Sequence, residues 1–146
     1  MKNIKACLSH NTDDWRTPSK LYNHFVNKLG FIDMFPYQCK EDQYSKTYEN
    51  KRLYCNPPFS QLDRVVPYLI GLAEKGNDIM LLMPARTDTK YFHQLLSYQH
   101  CYIYFIKGRL RFNDCKPAPF PSILVYISKN NVVPMYFTFD MRFLYE

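Results

Sequence analysis

Apolar residues recur along this chain in two rhythms. Leu21, Phe25 and Leu29 return every fourth residue, a helical spacing, behind Thr17 as N-cap and Pro18 at the first helical position, with Gly30 as the stop. Leu62, Val65, Val66, Leu69, Ile70 and Ala73 draw a second, continuous helical stripe that ends at Gly76. A third helix is predicted over 88–97, capped by Thr87 or Asp88. Between these helices lie apolar runs too short to be helical: 31–35, Arg52-Leu53-Tyr54-Cys55, and 78–83 with Ile79, Met80, Leu81 and Leu82. Segments 102–106, 109–112, 123–127 and 132–139 are rich in aromatic and branched residues and are expected as strands.

The order is strand and helix in alternation, then mostly strand. Alternation implies a parallel sheet with right-handed crossovers, and the β-rich tail implies that the sheet finishes with an antiparallel pair. No repeat, low-complexity tract or linker interrupts the 146 residues, so a single domain, 1–146, of α/β class is expected. Ligands of such sheets bind beyond the carboxyl ends of the strands, where Asp33 and Asn56 both fall.

Composition narrows the choices. With 47% hydrophobic residues the chain is globular rather than disordered. No apolar run approaches the roughly 18 residues of a membrane helix, and Met1-Lys2-Asn3-Ile4-Lys5 lacks a signal-peptide core, so a cytoplasmic protein without a membrane partner is expected. The net charge of +6 favours polyanionic partners. Cys7, Cys39, Cys55, Cys101 and Cys115 are odd in number and form no Cys-x-x-Cys pair, and His10, His24, His93 and His100 have no ligand spacing. Free thiols and no metal are the expectation.

The candidate chemistry lies at Asn56-Pro57-Pro58-Phe59. A residue before proline is driven toward extended backbone, so Asn56 is expected to continue the strand and project its amide over the edge. Two prolines then stiffen the chain and leave carbonyls without competing local N–H partners. The Asn56 side-chain oxygen and the Pro57 carbonyl become a rigid pair of acceptors beside the flat ring of Phe59. Such a pair suits the exocyclic amino group of adenine, a poor nucleophile because its lone pair is delocalised into the ring. Holding both N–H bonds localises that lone pair toward an electrophile, and the aromatic ring stacks on the base for roughly 1–3 kcal/mol. An amino group inside a duplex is reached by flipping the base out.

Across residues 14–127 the chain resembles the phage-type adenine-specific DNA methyltransferases, a compact group of class I S-adenosylmethionine-dependent enzymes. The stretches that carry the resemblance are Asp14-Trp15-Arg16-Thr17-Pro18, Asp33 after a short strand, Asn56-Pro57-Pro58-Phe59, Met83-Pro84-Ala85-Arg86-Thr87-Asp88-Thr89, Lys107-Gly108-Arg109-Leu110-Arg111-Phe112 and Pro119-Phe120-Pro121-Ser122. The resemblance implies a methyl donor, S-adenosylmethionine, held by Trp15, Thr17, Pro18, Asp33 and Phe35. It implies that Asn56, Pro57, Pro58 and Phe59 hold the adenine, and that Arg86, Lys107, Arg109 and Arg111 face double-stranded DNA and its phosphates.

The sequence departs from that group in two ways. Met34-Phe35-Pro36 stands where relatives carry Val-Cys-Ala, and none of the four glycines forms a Gly-x-Gly. Only 22 positions separate Asp33 from Cys55, fewer than the about 30 residues of a full strand–helix–strand unit. An abridged Rossmann-like sheet is therefore expected, with Glu41 or Asp42 as candidates for the cofactor ribose and a monomer or homodimer as the assembly. Two other functions fit the same residues: a non-catalytic nucleic-acid binder with a degenerate cofactor site, and a methyltransferase for RNA adenine or protein glutamine.

Overall fold

The structure is a computed structural model that describes residues 14–142; the expectations for Cys7 and His10 fall outside them. Six strands form one sheet: β1 (Ile32–Asp33), β2 (Arg52–Cys55), β3 (Asp78–Pro84), β4 (Cys101–Ile106), β5 (Ser122–Ile127) and β6 (Met135–Phe139), in the spatial order β1-β2-β3-β5-β4-β6. The first three are parallel, as the alternating pattern predicts. The tail is arranged differently from the expected antiparallel finish. β5 is antiparallel and lies inside the sheet, paired to β3 on one side and β4 on the other, while β6 runs parallel to β4 at the margin.

Apolar residues of β3 alternate between two cores, which is why that run is apolar throughout. Ile79, Leu81 and Met83 face α2 (Leu62–Glu74) and α3 (Lys90–Tyr98), meeting Val65, Val66, Leu69, Phe92 and Leu95. Met80 and Leu82 face the opposite layer, with Leu21, Phe25, Tyr54, Leu110 and Phe112. Burying that stripe of α2 contributes about 1.5–3 kcal/mol for each large aliphatic side chain. Gly76, at φ +86°, ends α2 where any Cβ would sit 2.3 Å from Asn50 Oδ1.

Several elements differ from expectation, each for a physical reason. The first helix is a short α-helical turn, α1 (Ser19–Tyr22), that widens into a π-helical segment, Asn23–Lys28. The wider turn breaks the four-residue rhythm, so Leu29 is exposed and Phe31 is buried in its place. Pro18 sits in the cap position, and the free N–H of Ser19 donates to Asp114 Oδ1 at 3.0 Å, not to Thr17. α3 is capped by Thr89, whose hydroxyl accepts from Phe92 N, rather than by Thr87 or Asp88. Residues 109–111 form a loop leading into a 3-10 turn, Phe112–Asp114, not a strand; the buried Leu110 and Phe112 that imitate a strand pattern are anchors of that loop. Val132 and Val133 are exposed ahead of β6. Cys39, Cys55 and Cys101 are free, whereas Cys115 is disulfide-bonded, a departure from the expected free thiols.

Candidate active site

The carboxyl ends of β1 and β2 open onto a cavity of about 950 Å³. Trp15, Thr17, Asp33, Phe35, Asn56 and Pro58 line it, so residues from three separate stretches of sequence converge there. Pro18 and Pro57 are buried. Phe59 lies outside the lining and packs in an aromatic cluster: its ring is nearly parallel to Trp15 (centroids 6.3 Å apart, planes at 16°) and edge-on to Phe112 and Phe120. Arg86, Lys107, Arg109 and Arg111 are exposed and also outside the lining.

The loop after β4 builds one wall. Asn113, in the left-handed region at φ 57°, receives Arg16 N–H on its Oδ1 (3.1 Å), donates from Nδ2 to Asp14 O (2.8 Å) and donates its own N–H to Arg16 O (2.9 Å). This clasp straps the 14–18 segment across the end of the sheet. It delivers the Trp15 carbonyl and the Thr17 hydroxyl to Asn56.

Asn56 Nδ2 donates to Trp15 O at 2.6 Å and to Thr17 Oγ1 at 3.0 Å. A carbonyl only accepts, so the amide nitrogen must face Trp15 and the oxygen must point away. That oxygen, Asn56 Oδ1, is buried without a hydrogen-bond partner among the described residues. An orphaned buried acceptor costs about 1–3 kcal/mol and is rare in folded proteins. A ligand that brings an N–H removes the cost.

Another residue of the lining carries a second such atom. Gln43, 7% exposed, donates from Nε2 to Glu41 O (3.1 Å) and to Cys39 Sγ (2.9 Å), leaving its buried Oε1 unpartnered. Glu41 and Asp42 are occupied elsewhere: Glu41 pairs with Lys46 at 2.8 Å, and Asp42 caps the 43–45 turn by accepting from Tyr44 N. Gln43 is thus the inward-facing residue of the irregular 36–50 stretch. Its surface-type side chain gave no sequence signal; an isolated polar residue between charged neighbours reads as exposed.

Asp33 ends β1 with a half-buried carboxylate that accepts from Phe35 N (3.1 Å) and from the Tyr22 hydroxyl. Burial pushes its pKa up, against the opposing pull of those two hydrogen bonds. Asp14 and Asp114 also line the cavity, against Arg16 as the single lysine or arginine of the lining among the described residues. A protein of net charge +6 therefore presents a locally acidic chamber. Arg16 lies 3.7 Å from the centroid of the Tyr37 ring, a cation–π contact between the strap and the loop after β1. Cys55, fully buried, has its thiol pKa pushed well up by desolvation, so it is not a ready nucleophile. No cluster of three or more His, Cys, Asp or Glu suited to a metal ion occurs among the described residues, and no helix among them is long and apolar enough to cross a membrane.

Arg109 and Arg111 flank the buried Leu110, and both are exposed. Arg111 Nη1 donates to Cys115 O at 3.3 Å. Neither they nor Arg86 form an ion pair among the described residues.

A family model described as DNA N-6-adenine-methyltransferase (Dam) matches residues 5–130. No curated protein matches the chain.

Proposed function

The chain belongs to the DNA N-6-adenine-methyltransferase family, and from that premise we propose that it transfers a methyl group from S-adenosylmethionine to the exocyclic amino group of an adenine flipped out of double-stranded DNA, with the whole chain acting as one cytoplasmic domain. The observation that carries this reading is the orphaned Asn56 Oδ1 at the cavity. It supplies an acceptor for an amino N–H at the position where the resemblance puts the base.

The residues present fit the cofactor. The cavity is large enough for a nucleoside joined to an amino acid, and its acidic lining suits a cationic ligand. Asp33, Trp15, Phe35 and Gln43 would hold it. When bound, the cofactor supplies an electrophilic methyl group on a positively charged sulfur. The protein's part is positioning and polarisation. Asn56 Oδ1 accepts one amino hydrogen of adenine and draws the lone pair out of conjugation; Pro57 and Pro58 keep that acceptor from yielding. Oδ1 is enclosed in the free protein, so the base displaces neighbouring side chains as it enters. Incubating the purified protein with duplex DNA and S-adenosylmethionine, then quantifying N6-methyladenine by mass spectrometry, tests the activity. A blank result with protein that binds S-adenosylhomocysteine would leave a non-catalytic binder as the better account.

Asp33 gives a pH signature. Its raised pKa means that the fold holds this proton more tightly than the unfolded chain does. Its contribution to stability is therefore present at acid pH and lost as pH rises through the raised pKa. Asp33→Asn is expected to raise the melting temperature at pH 7, and the difference should vanish below about pH 4, near the unperturbed carboxylate. The ionised form favours a cationic ligand, so calorimetric affinity for the sulfonium S-adenosylmethionine should fall as the medium is acidified toward the raised pKa, and Asp33→Asn should flatten that dependence.

The exposed arginines lead to a salt prediction. If Arg109 and Arg111 each neutralise one phosphate, the double alanine variant lowers the slope of log affinity against log salt by about 1.8, at roughly 0.9 per phosphate. An unchanged slope in a DNA-binding titration would move the DNA surface elsewhere.

A further inference from the structure

Thr17 was expected to cap a helix, yet its hydroxyl makes no cap hydrogen bond there. It accepts from Asn56 Nδ2 at 3.0 Å and lies 2.9 Å from the Tyr54 hydroxyl. Tyr54 is completely buried and stacks on Phe25, so it cannot follow a moving partner. We propose that Thr17, held in place by Tyr54, is a positioning residue that fixes the plane of the Asn56 carboxamide and so aims Oδ1 at the amino group of the substrate. This inference rests on the reading of Asn56 as the acceptor for that group.

The physical basis is the number of anchors. One hydrogen bond, from Nδ2 to the Trp15 carbonyl, lets a planar amide pivot about that bond. A second, to Thr17 Oγ1, engages the other amino hydrogen and fixes the plane. With both N–H groups donating, the amide is also polarised, which strengthens its oxygen as an acceptor. The device further explains why residue 56 is an amide. An aspartate in that pose would set an anionic oxygen against the Trp15 carbonyl at 2.6 Å, where nothing can be shared. Tyr54 lies in β2 and Asn56 follows two residues later, just past the end of the strand, a spacing that in extended backbone puts both side chains on one face. Trp15 and Thr17 are spaced in the same way on the strap. The two pairs meet side by side.

The test compares Thr17→Val, Thr17→Ser and Tyr54→Phe with the unaltered protein in single-turnover methylation of a duplex, with calorimetric binding of S-adenosylhomocysteine measured in parallel. Thr17→Val is expected to slow methyl transfer about 100-fold, the loss typical of a displaced reacting group, with affinity for S-adenosylhomocysteine within about threefold of the parent, a change on the order of RT. Thr17→Ser keeps the hydroxyl and should recover most of the rate. Nuclear magnetic resonance of 15N-labelled protein should show both Asn56 side-chain amide hydrogens protected from exchange, and only one protected in Thr17→Val. If Thr17→Val does not fold, Tyr54→Phe takes its place, with a slower transfer step and unchanged binding expected. Full rate in either folded variant, or a loss confined to S-adenosylhomocysteine binding, overturns the proposal. Asn56→Ala assayed alongside separates the two failures: wild-type methylation by that variant would overturn the reading of Asn56 itself.

Discussion

Asn56→Ala is expected to reduce methyl transfer to adenine about 1000-fold, the upper range for removing one preorganised polar group from an active site. The fold should survive. The alanine removes a buried oxygen that has no partner in the free protein, and relief of that orphan offsets part of what is lost with the two Nδ2 hydrogen bonds. The measurement is N6-methyladenine by mass spectrometry, with circular dichroism as the check on folding. Methylation at the parental level would dissociate the Asn-Pro-Pro-Phe segment from the chemistry.

The second large effect is expected at Trp15, and it is structural before it is chemical. The indole touches Phe59, Phe112 and Phe120 at centroid distances of 6.3, 5.7 and 5.2 Å, and so joins the strap, the Asn-Pro-Pro-Phe segment and the loop after β4. Trp15→Ala should destabilise the protein by about 3 kcal/mol, the lower end for a large aromatic because the ring is only half-buried. For a chain of this size that lowers the melting temperature by about 6–12 °C. The main-chain carbonyl that orients Asn56 remains, but the cluster that places it is gone, so activity should fall even below the melting transition. A variant that melts with the parent would mean that the cluster contributes little beyond surface cover.

What the sequence revealed follows a simple division. Where a segment buries one continuous face, as 62–74 does in α2 and 52–55 in β2, periodicity located it to within a residue or two. Where an apparent period arose from anchors in an irregular loop, it misled: Leu110 and Phe112 alternate like a strand but are two pegs on either side of Arg111. Leu29 was misread because a π-helical turn, which has no residue signature in Asn23–Lys28, shifts the register. The Asn-Pro-Pro-Phe segment stands out in one dimension because proline dictates backbone locally. Its partners do not. Thr17 and Tyr54 are 37 residues apart, Arg16 and Asn113 are 97 apart, and only folding brings each pair together. Gln43 stayed hidden for the same reason, since nothing local marks a glutamine that turns inward.

The position of β5 sets the order in which this molecule can be completed. Its residues, 122–127, fill the slot between β3 and β4 and supply hydrogen bonds to both. While the chain is still emerging from the ribosome, β3 has one bare edge and β4 has no inner neighbour until Ile127 is free to enter. Assembly therefore waits on the last third of the chain, and the nascent protein carries the open β3 edge until residues 122–127 have been made, a condition in which strand exchange between copies is most easily started.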